Sequence, residues 1–161
     1  MLFRSAAESW LVSGDYKRCL DPSCTPFEPV QADVFITEAT FALPIYRWRS
    51  GAAIAADIAA WWRQAPDQPS LLFAYAFGKA QRILAELHAI GVREEVLLHG
   101  AVERLMGAYR EAGVAMVPTR PVSAVPRDEP LAGRLVIAPP SAHRSAWMRR
   151  FRQPQTAFVS G

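Results

Sequence analysis

The sequence predicts an α/β protein built on a parallel sheet with helices on both faces. Three observations predict it. Apolar runs of strand length alternate with stretches of helical periodicity, in the order strand, helix, strand, helix, strand, helix, strand, strand. Several runs, "SLLFAYAF" among them, are apolar at successive positions, as strands buried on both faces are. The 161 residues are 51% hydrophobic, enough for one core with room for an appendage.

Taken in order, "WLVSGDYK" begins as a short apolar strand and runs into a tight turn carrying Asp15, Tyr16 and Lys17. Three prolines and no periodicity make 18–32 a loop. "DVFITEAT", 33–40, is a strand with a polar end, and "FALPIYRWRS" is irregular. Ser50 caps a helix over "GAAIAADIAAWWRQ", which Pro66 stops. "SLLFAYAF", 70–77, is a strand. "GKAQRILAELHAIG", 78–91, is a helix with apolar positions 80, 83, 84 and 87, ended by Gly91. "EVLLHG" is a short strand, and 101–113 repeats the pattern of helix then glycine. Four prolines make Val114 to Pro130 a long loop with room for one short extended piece. "RLVIAPP" is a strand, "SAWMRRF" a short helix and "TAFVSG" a last strand with no element after it to cover its edge.

The net charge of +3 rests on arginine more than lysine. It suits anionic partners such as nucleic acid, and equally an ordinary solubility charge. Cys19 and Cys24 have no nearby Cys or His pair to complete a zinc site, so two reduced thiols are expected. No apolar run approaches the ~18 residues of a membrane span, and the start lacks a signal-peptide core and cleavage site. The expectation is a cytoplasmic protein with no membrane contact.

In a parallel sheet, ligands meet the carboxyl ends of the strands. Here those ends carry Asp15, Glu38, Gly78-Lys79, His99 and Ser141. Asp15, after the small residues Ser13 and Gly14, suits a divalent metal as an oxygen ligand. The alternative is that Asp15 caps a turn and Glu38 pairs with an arginine. In "FGKAQ", the N–H groups of a helix start stand ready for a phosphate, with Lys79 adding charge. His88, His99 and His143 are far apart; His88 suits the helix dipole and His99 ends a strand. There is no G-x-S-x-G elbow and no P-loop. Trp61 and Trp62 are adjacent on a helix, so only one faces the core. Arg149-Arg150 reads as a solvated helix face or as a phosphate contact.

The motifs "LVSGDYK", "DVFITEATFALPIYRW", "LLFAYAFGKAQRIL", "VLLHGAVERLMGAYREAGV", "LVIAPPSA" and "TAFVSG", in that order, carry a resemblance. The chain from Trp10 onward resembles the β-CASP branch of the metallo-β-lactamase fold. Within that branch it is most similar to bacterial ligase-associated DNA exonucleases, also labelled mRNA 3′-end processing factors. The resemblance implies that Asp15 bridges two metal ions, zinc or manganese, and that Glu38 is the acidic residue beside the active site. It implies that Gly78, Lys79 and Gln81 face the nucleic-acid backbone, with Lys17 beside them. In the family, two metals activate a water for attack on a phosphodiester.

The departures are as informative. The family's H-x-H-x-D-H motif is absent, since no two histidines lie within ten residues. The later β-CASP histidines are expected beyond "TAFVSG". The resemblance therefore divides the chain into 1–32, a remnant of the lactamase core with its connecting loop, and 33–161, a β-CASP domain cut on its C-terminal side. It implies part of a metal-dependent nuclease acting on a DNA or RNA end, in association with an ATP-dependent DNA ligase and a helicase. This chain alone is expected to hold no metal pair and to be inactive. The alternatives are a nucleic-acid-binding module that does not cut, with Lys79, Gln81, Arg47, Arg49, Arg149 and Arg150 on phosphates, and a decayed gene fragment.

Overall fold

The computed structural model describes residues 1–14 and 16–159. Two sheets account for every described strand. The smaller sheet has β1 (Leu2–Arg4), β2 (Ser9–Val12) and β3 (Val34–Ile36) in the order β1-β2-β3. β1 pairs antiparallel to β2, and β2 pairs parallel to β3 with Trp10 opposite Val34 and Val12 opposite Ile36. β3, at the head of the segment 33–161, takes its hydrogen bonds from β2 in the segment 1–32.

The larger sheet has five parallel strands in the order β6-β5-β7-β4-β8. They are β4 (Ser70–Phe73), β5 (Val96–Leu98), β6 (Thr119–Pro121), β7 (Leu135–Ala138) and β8 (Gln155–Phe158). The three inner strands are buried at every residue, as their unbroken apolar runs require. The α-helices are α1 (Gly51–Arg63), α2 (Lys79–Ala89) and α3 (Gly100–Glu111). Ser50 caps α1 by accepting a hydrogen bond from the Ala53 N–H at 3.2 Å.

Strand alternation divides the core in two. Leu72, Ala74, Val96, Leu98, Leu135 and Ile137 point to the face covered by α1, α2 and α3. Leu71, Phe73, Leu97, Val136 and Ala138 point to the other, covered by Val122, Val125, Ala142 and Phe151. The topology explains the split. The connections β4–β5 and β5–β6 step toward one edge, whereas β6–β7 and β7–β8 step back toward the other. Crossovers between parallel strands are right-handed, so reversing direction moves the connection to the opposite face.

The expectation of helices on both faces is corrected here. All three α-helices lie on one face. The returning connections form 3-10 turns, Val122–Ala124, Pro140–Ala142 and Ala146–Arg150. Prolines at 121, 126, 130, 139 and 140 remove the N–H donors that a helix there would need. The adjacent tryptophans separate as their spacing demands. Trp62 is buried, its Nε1 donating to the Gly133 carbonyl at 2.7 Å, while Trp61 is partly buried at the edge of the same core.

Candidate functional site

The β2/β3 register sets two of the candidate strand ends side by side. Ser13 N–H donates to the Ile36 carbonyl at 2.9 Å, and the Ser13 and Thr37 hydroxyls are 3.2 Å apart. Asp15, the expected metal ligand, lies outside the described residues. Glu38 folds onto its own turn, accepting from the Thr40 N–H at 2.7 Å and from the Thr40 hydroxyl. These hydrogen bonds from Thr40 hold its carboxyl below the usual range. Glu38 caps a turn through Thr40 and takes no arginine partner among the described residues.

The second candidate cluster forms where β4 passes into α2. Gly78 has φ 76° and ψ −61°, and the Lys79 N–H donates back to the Phe77 carbonyl at 2.9 Å. This is a γ-turn of the rare positive-φ kind, which only glycine enters cheaply. The next amide, Ala80 N–H, donates to the Tyr75 carbonyl at 3.1 Å. The loop's own carbonyls therefore occupy two amides of the helix start that the sequence offers to a phosphate. What the turn presents outward is side chains. Lys79 sits 5.6 Å from the centroid of the Tyr75 ring, and Tyr75 and Phe77 are 63% and 73% exposed.

Gln81 is placed out of a ligand's reach. It is fully buried, and its Nε2 donates to the Ala76 carbonyl at 2.9 Å, while its Oε1 has no partner. That hydrogen bond ties the start of α2 to the β4–α2 loop. Lys79 is half-buried. Its own burial, then the charges of Lys17 and Arg82, keep its ammonium below the usual lysine range. Lys17 and Lys79, expected in one cluster, thus share one electrostatic neighbourhood.

Asp21, which the sequence reading passes over, organises that neighbourhood. Its side chain is only 7% exposed, accepts from Lys17 Nζ at 2.9 Å and forms an ion pair with Arg82 Nε at 3.2 Å. Its other oxygen takes the Ser23 N–H at 2.9 Å and hydroxyl at 2.6 Å. Burial pushes the Asp21 carboxyl up, but the Ser23 and Lys17 hydrogen bonds outweigh it and the net direction is down. The signal in the sequence is "DPS", an Asx turn closed by its own serine, and Arg82 one helical turn after Lys79.

The histidines have separate surroundings. His99 caps α3, its Nδ1 accepting from the Ala101 N–H at 3.0 Å, and its ring lies 4.8 Å from that of Trp147. His143 packs between Phe73 and Phe158 at 5.0 and 4.9 Å. His88 stands in the last turn of α2, as the dipole favours. Among the described residues, no three of His, Cys, Asp and Glu come together to hold a metal. The described residues place Lys17, Lys79 and Arg82 close together and bring together no metal-ligand set.

The chain is 32% identical over 155 residues to a protein named "Probable DNA ligase" from Opitutus terrae. The match covers 95% of this chain and spans 15% of that relative's length. No described protein family matches the chain, and no solved structure matches it. No helix among the described residues is long and apolar enough to cross a membrane.

Proposed function

We propose that this chain is the nucleic-acid-holding portion of a metal-dependent phosphodiesterase of the β-CASP type, working beside a DNA ligase. Its own part is to grip a DNA or RNA strand without cutting it. The supporting observation is that Lys17, in the loop after β2, and Arg82, on α2, pair with the same Asp21 carboxylate, and that Lys79, following β4 at the carboxyl end of the parallel sheet, feels both charges. Ligands of parallel sheets collect at that end. The relative named as a probable DNA ligase supports a place in DNA end processing. Two divalent ions would supply the hydrolytic chemistry in a longer parent, and Asp15 is the residue of this chain proposed to reach them. Glu38 is proposed to stand beside that centre.

The test is binding and cleavage of end-labelled single-stranded DNA and RNA by this chain, with Mn²⁺ or Zn²⁺ added. Binding without a product ladder is expected. Replacing Lys17 and Lys79 by alanine should weaken binding about tenfold. It should also flatten the log–log salt slope by about 1.4, at roughly 0.7 per lost phosphate contact on a single strand. Binding that is indifferent to both substitutions sinks the proposal. Titration with Mn²⁺ alone is expected to show no site tighter than a surface acid, and a low-micromolar Kd abolished by Asp15→Ala would overturn that part.

A further inference from the structure

We infer that the chain carries a second polyanion site, at the opposite end of the sheet, which takes the phosphates of a single-stranded nucleic acid. A cavity of about 930 Å³ opens beside the residues that lead into β4, between Arg127–Leu131 and the 3-10 turn Ala146–Arg150. It lies at the amino ends of the strands, whereas Lys17 and Lys79 lie at their carboxyl ends. Arg127, Arg149, Arg150 and Arg152 all line it.

Three of the four arginines have no acid partner among the described residues, while the Arg120 hydrogen bond, helped by the Arg150 charge, holds the Glu129 carboxyl below its usual range. Arg127, Arg149 and Arg152 make no hydrogen bond or ion pair among the described residues. Arg150 is anchored to the backbone, its guanidinium donating to the Val125 and Pro126 carbonyls at 2.5 and 3.1 Å. Its Nε is buried and has no partner. Three carboxylates share the cavity, but Glu129 is already engaged by Arg120 at 2.6 Å. Four guanidiniums then face Asp67 and Asp128, neither of which pairs with them. Unpaired like charges held around one cavity repel one another, and a bound polyanion removes that repulsion.

The chemistry favours phosphodiesters over an acidic peptide. Guanidinium forks match phosphate oxygens bidentately. Arg127 and the 149–152 group come from two separate segments that line the same cavity, joined where Arg150 donates to the Pro126 carbonyl. Trp147, its ring packed against His99 and Phe151, also lines the cavity. The volume is at the upper end of the ~300–1,000 Å³ of ligand clefts, room for more than one nucleotide.

The experiment is fluorescence anisotropy on the full chain with 5′-fluorescein-labelled oligo-dT, read as a function of NaCl. Arg149 and Arg152 are exposed and pack against nothing essential, so Arg149→Ala/Arg152→Ala should fold with unchanged circular dichroism and Tm. That double variant should bind about tenfold more weakly, with a salt slope flatter by about 1.4. Arg149→Lys/Arg152→Lys should restore the slope but only part of the affinity, because lysine keeps the charge and loses the fork. Unchanged affinity in the alanine variant overturns the inference, and so does displacement of the DNA by oligo-glutamate at equal charge concentration. A parallel arm with Lys17→Ala/Lys79→Ala separates the two ends of the sheet. A loss confined to that arm removes the arginine site and leaves the lysine site standing, and the converse holds equally.

Discussion

At the scale of single residues, His99 and Gly78 each do a job that their neighbours cannot take over. His99 must be unprotonated at Nδ1 to accept the Ala101 N–H. Burial first, and the Arg104 charge second, hold its pKa below the ordinary 6.5. A folded pKa below the unfolded one means that the unfolded chain takes up the proton more readily. The stability that His99 contributes is therefore present above the ordinary value and is lost as pH falls through the folded one. Melting followed from pH 7.5 to 5 should show that loss, and His99→Asn, which caps without titrating in this range, should lessen it. His99→Ala should cost about 1 kcal/mol at pH 7.5, the usual worth of a helix cap. Gly78→Ala forces a side chain into the positive-φ turn and should cost about 1–2 kcal/mol in urea unfolding. The glycine was legible in "FGKAQ" as a helix start. Its γ-turn was not, because nothing in the residue types shows that the loop's own carbonyls satisfy the first amides. The burial of Gln81 was hidden for a related reason: a polar residue two positions into a helix looks exposed until the packing of α2 on the sheet is known.

At the scale of elements, the loop 18–32 is tied to α2 mainly through Asp21. Removing that carboxylate leaves Lys17 without its ion pair beside Arg82, which keeps, among the described residues, only Glu86 at 3.5 Å. Asp21→Asn should therefore release the loop locally, with cleavage by a trace protease between residues 17 and 32 rising about tenfold. The urea midpoint of the large sheet should hardly change, because none of its strands donates a hydrogen bond to Asp21. The pH sign is the opposite of the histidine's: a depressed carboxylate keeps its contribution above the ordinary 3.8 and loses it as pH falls through the folded value. The three α-helices and the inner strands could be read from periodicity, caps and glycine stops. The partner of β3 could not, since "DVFITEAT" is compatible with either sheet and only the pairing with β2 decides between them. The face of each crossover was equally hidden. It depends on strand order, a long-range property that no local pattern carries.

At the scale of the whole molecule, much apolar surface is left uncovered. Trp48 is 61% exposed in an aromatic group with Phe41 and Tyr46, and Phe158 is 53% exposed on the edge strand β8. Contiguous apolar surface on a sheet edge invites association. Sedimentation at rising concentration should show self-association, and Phe158→Lys should reduce it by charging the edge. Among the described residues β8 is an edge strand, and the aromatic group at 41–48 lies in a stretch that reads as irregular in the sequence. The strand order carries one further consequence. β7 is the central strand, yet it is made after both of its neighbours, and β8 joins β4 from the far end of the chain. During synthesis β4 and β5 therefore emerge with a vacant slot between them, filled only when residues 135–138 arrive. Such late, distant pairing slows folding and lengthens the time that apolar strands stay open to a chaperone or to another nascent chain.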